Sequence, residues 1–201
     1  MTQSIWLFGY GSILWRPDIP YTAAKIARLS GFQRRFWQAS TDHRGTLEQP
    51  GAVVTLRQVD HAQTLGIAYC IEQTGLVQTM SQLDQREQNG YAQQAISLTL
   101  DTGQVIQATT YIAPPGNTWD LGSPSETLLA AQIQAASGPS GTNLAYFQRL
   151  LWASECLNEV DDHLNRIAVS LERLGSTTRP GPALIRLQIE KALLPWHPLM
   201  R

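Results

Sequence analysis

Ser4-Ile5-Trp6-Leu7-Phe8-Gly9-Tyr10 is an apolar stretch that runs straight into Gly11-Ser12. It reads as a short buried strand ending in a glycine turn, and the rest of the first half repeats that pattern of apolar runs broken by turn signals. Residues 25–40 form a long mixed run carrying Phe32, Phe36 and Trp37. Two further strands are expected at residues 52–59 and 64–72. Residues 91–100 and 105–113 flank Asp101-Thr102-Gly103-Gln104, a hairpin turn by composition.

Helical signals interrupt this pattern and then take over. Thr74 is expected to cap a helix over 75–88 that Asn89-Gly90 closes in left-handed conformation. Ser123-Pro124-Ser125-Glu126 reads as a capping box with proline at the first helical position, opening a helix to about residue 136. A third helix is expected over 142–157. Asn158 is expected to cap a fourth, with Val160, Leu164, Ile167, Leu171 and Leu174 on one face. The expected class is α+β, with a mixed or antiparallel sheet that can close into a barrel and helices mainly C-terminal. Residues 1–175 are expected to form one domain, and 176–201 a tail with a linker at 177–182 and an apolar stretch over 183–194 that docks back on the domain or on a partner.

Composition narrows the possible roles. Of 201 residues, 15% are charged against the roughly 25% of ordinary soluble domains, and nineteen glutamines make up the polar surface instead. A net charge of −1 removes the basic field that non-specific nucleic-acid binding requires. No apolar run reaches the roughly 18 residues of a membrane span, and the first apolar stretch lacks a signal peptide's basic flank. Cys70 and Cys156 stand 86 positions apart without metal-ligand spacing, as expected of free thiols in the cytoplasm. Neither H-E-x-x-H nor a P-loop is present and the four histidines are scattered, so no His-based metal site is expected.

Two segments carry candidate chemistry. Gly9-Tyr10-Gly11-Ser12 lacks the third glycine of a dinucleotide fingerprint. It is either a plain turn or a nest of backbone N–H groups able to hold a carboxylate or an oxyanion. A serine nucleophile at Ser12, with His43 or His163 as base, lacks the G-x-S-x-G elbow. In residues 76–91, Leu76, Met80, Leu83 and Glu87 follow at steps of four, three and four, so they share one helix face. Gln78, Gln82 and Gln85 point away. Glu87 is therefore either a rim carboxylate or one on the buried side, there salt-bridged or desolvated towards the pKa of a general base. Adjacent helical side chains do not face each other, so Arg86 is not expected as its partner. Arg34-Arg35-Phe36-Trp37 and Asp42-His43-Arg44-Gly45 read best as a structural network of arginines on aromatics.

The strings Phe8-Gly9-Tyr10-Gly11-Ser12-Ile13-Leu14-Trp15, Ser40-Thr41-Asp42-His43-Arg44-Gly45, Leu83-Asp84-Gln85-Arg86-Glu87 and Gly138-Pro139-Ser140-Gly141-Thr142-Asn143 occur in this order. Together they closely resemble the ChaC-like γ-glutamylcyclotransferases. The resemblance spans roughly residues 5–170 and implies a small mixed-sheet barrel with flanking helices. It implies cleavage of glutathione to 5-oxoproline and cysteinylglycine without a cofactor, with glutathione as the small-molecule partner, which agrees with the absence of nucleic-acid or membrane signals above. It assigns catalysis to Glu87 and γ-glutamyl binding to Gly9, Tyr10, Gly11, Ser12, Ile13 and Leu14, with Tyr146 nearby. Ile13-Leu14 and Gln88-Asn89 depart from the family's usual residues, which bears on substrate preference more than on reaction type. Other γ-glutamyl amino acids or amines as substrates, or non-enzymatic glutathione binding, are the alternatives.

Overall fold

The computed structural model describes residues 4–178 and 183–193. Five strands close a barrel in the order β1-β3-β2-β4-β5. These are β1 (Ile5–Gly9), β2 (Ala23–Ser40), β3 (Gly51–Ile71), β4 (Ala92–Leu100) and β5 (Val105–Ile112). All pairings are antiparallel except the closing one, where Trp6 and Leu7 of β1 lie parallel to Ala108 and Thr109 of β5. The sheet is therefore mixed, as the α+β reading allows. β1 is short and lies at the seam, with Leu7 and Phe8 almost wholly buried.

The two strands expected at 52–59 and 64–72 are one. β3 runs unbroken for 21 residues and pairs with β2 from Ala23↔Cys70 to Ser40↔Gly51. The polar Asp60-His61 pair reads as a break because it is a bend. His61 has φ 61° and the facing Gly31 φ 80°, and the register shifts between Ser30 and Phe32. The near halves of β2 and β3 complete the barrel, and their far halves carry the helices.

α1 (Leu76–Arg86) joins β3 to β4, and α2 (Glu126–Ala135), α3 (Asn143–Cys156) and α4 (Asp162–Arg173) follow the barrel. A two-residue strand pair, β6 (Ser137–Gly138) with β7 (Gly141–Thr142), links α2 to α3. Three expected caps move. Gly75, at φ 94°, opens α1 in place of Thr74 and makes no side-chain cap. Ser125 caps α2 by accepting the Leu128 N–H, leaving Pro124 outside the helix. Asp161 caps α4 by accepting from His163 and Leu164, because its carboxylate reaches two orphan N–H groups at once. Asn158, at φ 56°, belongs to the turn before, and Val160 is exposed.

On α4, Leu164, Ile167 and Leu171 are fully buried against the core. α5 (Ala183–Leu193) packs on α3 and β2 through Ile185, Ile189 and Ala192. Residues 179–182 of the expected linker, and Leu194, lie outside the described residues. No helix among the described residues is long and apolar enough to cross a membrane.

Candidate active site

The turn after β1 is built by close approach. A methyl group on Gly9 would sit 2.7 Å from Ile13 Cγ2, and one on Gly66 of β3 would sit 2.4 Å from the Gly9 carbonyl. Only bare backbone fits at these two contacts. The chain then enters a single 3₁₀ turn, Ser12–Leu14, with Leu14 N donating to the Gly11 carbonyl at 3.0 Å. The turn's other carbonyls are also engaged. Arg34 Nε donates to Tyr10 O at 2.8 Å, and Tyr69 Oη donates to Ile13 O at 2.9 Å. The N–H groups of Gly11 and Ser12 find no backbone acceptor among the described residues.

Arg34 is itself fully buried and paired with Glu159, whose Oε1 accepts the Leu65 N–H at 2.7 Å. The Arg34–Trp37 cluster is thus the expected structural network. It continues in Arg35 and Arg57, which lie over the Trp37 ring at 5.4 and 5.9 Å.

Glu87 approaches the turn from α1. Thr79 and Leu83 are buried on that helix, Leu76 and Met80 partly so, while Gln78, Gln82 and Gln85 face out, as the spacing predicts. Glu87 is the C-cap: its N–H donates to Leu83 O at 2.7 Å, but its backbone leaves the helix at φ −94°, ψ 59°. Asn89 and Gly90 then reverse the chain at φ 57° and 88°. The reversal is pinned by the buried Gln38, whose amide nitrogen donates to Asn89 O at 2.6 Å. Leaving the helix also brings Glu87 Oε1 within 3.7 Å of Arg86 Nε, a neighbour that regular helical geometry would have kept apart. Arg86 in turn donates to Ser12 Oγ at 2.8 Å, tying the end of α1 to the glycine turn.

Only 16% of the Glu87 side chain is exposed. Burial raises its carboxyl above the ordinary carboxylate range; Arg86 and His43 pull it back, and Asp42 pushes it further up. Four tyrosines surround it. Tyr10 Oη donates to Tyr111 O, Tyr91 Oη to Val54 O and Tyr111 Oη to Asp84 Oδ1, each at 2.6 Å. The Tyr146 hydroxyl donates to no acceptor among the described residues. Its ring packs edge-on against Trp15 and Phe36 at 5.7 and 5.9 Å. Burial, first of all, and the Glu87 charge hold its hydroxyl protonated.

These groups line two adjoining cavities with shared walls, an inner and an outer lobe of one site. The inner lobe, about 40 Å³, is lined by Tyr10, Gly11, Ser12, Ile13 and Tyr111. The outer lobe, about 210 Å³, is lined among others by Trp15, His43, Arg44 and Asn89. Glu87, Ser12, Tyr91 and Tyr146 border both. Of the residues singled out in the sequence, Glu87, Tyr10, Gly11, Ser12, Ile13 and Tyr146 converge here. Gly9 stands behind the lining and Leu14 is buried in the core. Asp42, His43 and Arg44 form a cavity wall as well as a network. Tyr91 and Tyr111 are site residues that periodicity does not reveal, since they reach the cavity from the residue before β4 and from β5.

Ser12 accepts from Arg86, while His43 bonds Ser140 and His163 bonds the Phe36 N–H. Neither histidine reaches Ser12, so the constellation of a serine nucleophile is not assembled. Among the described residues no three His, Cys, Asp or Glu side chains converge as a metal-ligand set.

A small closed five-stranded barrel with flanking helices is the γ-glutamylcyclotransferase fold. A crystal structure of a glutathione-specific γ-glutamylcyclotransferase from yeast superposes with a TM-score of 0.79 at 27% identity, over 87% of this chain and all of that one. The chain belongs to the ChaC-like protein family, whose model matches residues 5–174. It is 37% identical to glutathione-specific γ-glutamylcyclotransferase 1 of Danio rerio, over 84% of this chain and 89% of the relative. It is 33% identical to the glutathione-specific γ-glutamylcyclotransferase of Escherichia coli K12, over 90% and 78% of the two chains.

Proposed function

We propose that this chain cleaves glutathione to 5-oxoproline and cysteinylglycine, with Glu87 as general base and then general acid. The observation that carries the reading is the placement of a single desolvated carboxylate at the junction of the two lobes, beside the glycine turn. The relatives' names supply the substrate.

The substrate brings its own nucleophile, since the α-amine of a γ-glutamyl amide closes a five-membered ring on its own side-chain carbonyl carbon. An ammonium cannot attack, so a base must first take its proton. Burial raises Glu87 towards the range where it accepts that proton near neutral pH and returns it to the departing amine. The C–N bond to the α-amine forms, the C–N bond to cysteinylglycine breaks, and no water is consumed. The free N–H groups of Gly11 and Ser12 suit the substrate carboxylate or the oxyanion, and the Tyr146 hydroxyl, bonded by the Val54 backbone but donating to no acceptor among the described residues, offers a further donor.

Residues 1–175 form the catalytic unit in this reading, and α5 belongs to an extension packed on it. A cytoplasmic location follows from the substrate and suits Cys70 and Cys156, both free.

The test is release of 5-oxoproline, followed by mass spectrometry, from glutathione and from γ-glutamyl-alanine. Glutathione is expected as the preferred substrate. Glu87→Gln should lose roughly 10²- to 10⁴-fold in rate, the range of a missing general acid–base group. Undiminished release by that variant contradicts the role of Glu87, and preference for γ-glutamyl-alanine contradicts the substrate.

A further inference from the structure

Three arginines are buried among the described residues: Arg34, Arg44 and Arg57. Arg34 is matched by Glu159, and Arg57 by Asp120 at 2.8 Å. Arg44 has no carboxylate within 4.0 Å among the described residues, though burial of an unmatched charge is strongly unfavourable.

Its surroundings do not compensate. One guanidinium nitrogen donates to the Ser140 carbonyl, and the group stacks over the Tyr146 ring at 5.3 Å. The remaining N–H groups have no acceptor among the described residues. Arg149 and Arg16 are the charged side chains that act on it most, and both repel. The other cations of the outer lobe are matched: Arg16 by Asp18 at 2.6 Å, and Arg86 by Glu87 at 3.7 Å and Asp18 at 3.9 Å. Arg44 is therefore a desolvated, pre-oriented cation lining the outer lobe, and a carboxylate is the group it lacks.

We infer that Arg44 binds the terminal carboxylate of the leaving peptide and so sets the preference for a dipeptide leaving group. The inference rests on the glutathione reading above. Glutathione carries two carboxylates on opposite sides of the scissile amide, and Glu87 stands where the two lobes meet. The γ-glutamyl half must curl into a compact ring, which suits the smaller lobe with its free Gly11 and Ser12 N–H groups. The extended cysteinylglycine half then occupies the larger lobe, with its terminal carboxylate towards Arg44. A γ-glutamyl amine has no such carboxylate, and its leaving group would leave Arg44 unmatched.

The experiment compares glutathione with glutathione amide, in which the terminal carboxylate is a carboxamide, by 5-oxoproline release from the full chain. Wild-type protein should favour glutathione in kcat/KM by roughly 10- to 100-fold, the range of one charge-assisted hydrogen bond. Arg44→Gln should bring that ratio close to unity, and Arg44→Lys should restore part of it. The Lys variant and the wild-type ratio carry the test if the Gln variant does not fold. Equal use of both substrates by wild type, or parallel loss on both in Arg44→Gln, overturns the inference while leaving the cyclotransferase reading intact. Absence of 5-oxoproline from both substrates overturns both.

Discussion

At Glu87, desolvation and charge act in opposite directions, and desolvation prevails. The folded chain therefore binds the Glu87 proton more tightly than the unfolded chain does. Stability from this group is fully present below the unfolded carboxylate range and is lost as pH rises through the higher folded value. The same burial that makes Glu87 a stronger base than an exposed carboxylate makes it a local liability for the fold. Glu87→Gln removes the charge and keeps the shape, so the variant should melt at a higher temperature than wild type at pH 7. The difference should vanish below about pH 4, where the carboxyl is protonated in both states. Circular-dichroism melting across that range checks it, and an equal or lower melting temperature at pH 7 contradicts the desolvated placement.

The elements divide the site into a legible part and a hidden part. Glu87 was readable because helical periodicity puts it on the face of Leu76, Met80 and Leu83, and the glycine turn because it follows an apolar run. Tyr91, Tyr111 and Arg44 are not legible as site groups, since only the folded barrel brings the start of β4, β5 and the β2–β3 loop together. The bend at His61 reads as a strand boundary in the sequence because positive-φ bulges and turns use the same polar residues. The glycine turn separates two kinds of demand. A methyl group on Gly66 meets the Gly9 carbonyl at 2.4 Å and the Phe8 ring at 2.5 Å, so β1 itself must shift. Gly66→Ala should lower unfolding free energy by about 1–3 kcal/mol, as overpacking does. A methyl group on Gly11 meets only Val54 Cγ1 at 3.1 Å and Tyr146 Oη at 3.5 Å, where side chains can give by a few tenths of an ångström. Gly11→Ala should therefore keep near-wild-type melting but lose roughly tenfold to a hundredfold in kcat/KM through misplaced substrate. Urea unfolding beside 5-oxoproline kinetics separates the two; equal loss of stability in both would refute the distinction.

Across the whole molecule, the barrel and the helical layer are joined at a buried histidine that the catalytic reading does not use. His163 on α4 accepts the Phe36 N–H of β2 through Nε2 at 3.1 Å, which requires the neutral ring. Desolvation, and then Arg35, lower its pKa from 6.5 to about 4. Between these values the unfolded chain binds a proton that the folded chain refuses, so unfolding free energy falls as pH falls through that window. At 1.36 kcal/mol per pH unit the full loss is roughly 3 kcal/mol. The buried Glu87 and Glu159, both raised chiefly by desolvation, act with the opposite sign, so wild-type stability alone would mask the effect. His163→Gln keeps an acceptor for the Phe36 N–H and removes the titration. Urea unfolding of both proteins between pH 7 and pH 4 isolates it, because the glutamates contribute equally to each. Wild type should lose roughly 3 kcal/mol relative to the variant over that range, the value of the refused proton. Parallel pH profiles would show that the joint between layers does not depend on a neutral imidazole.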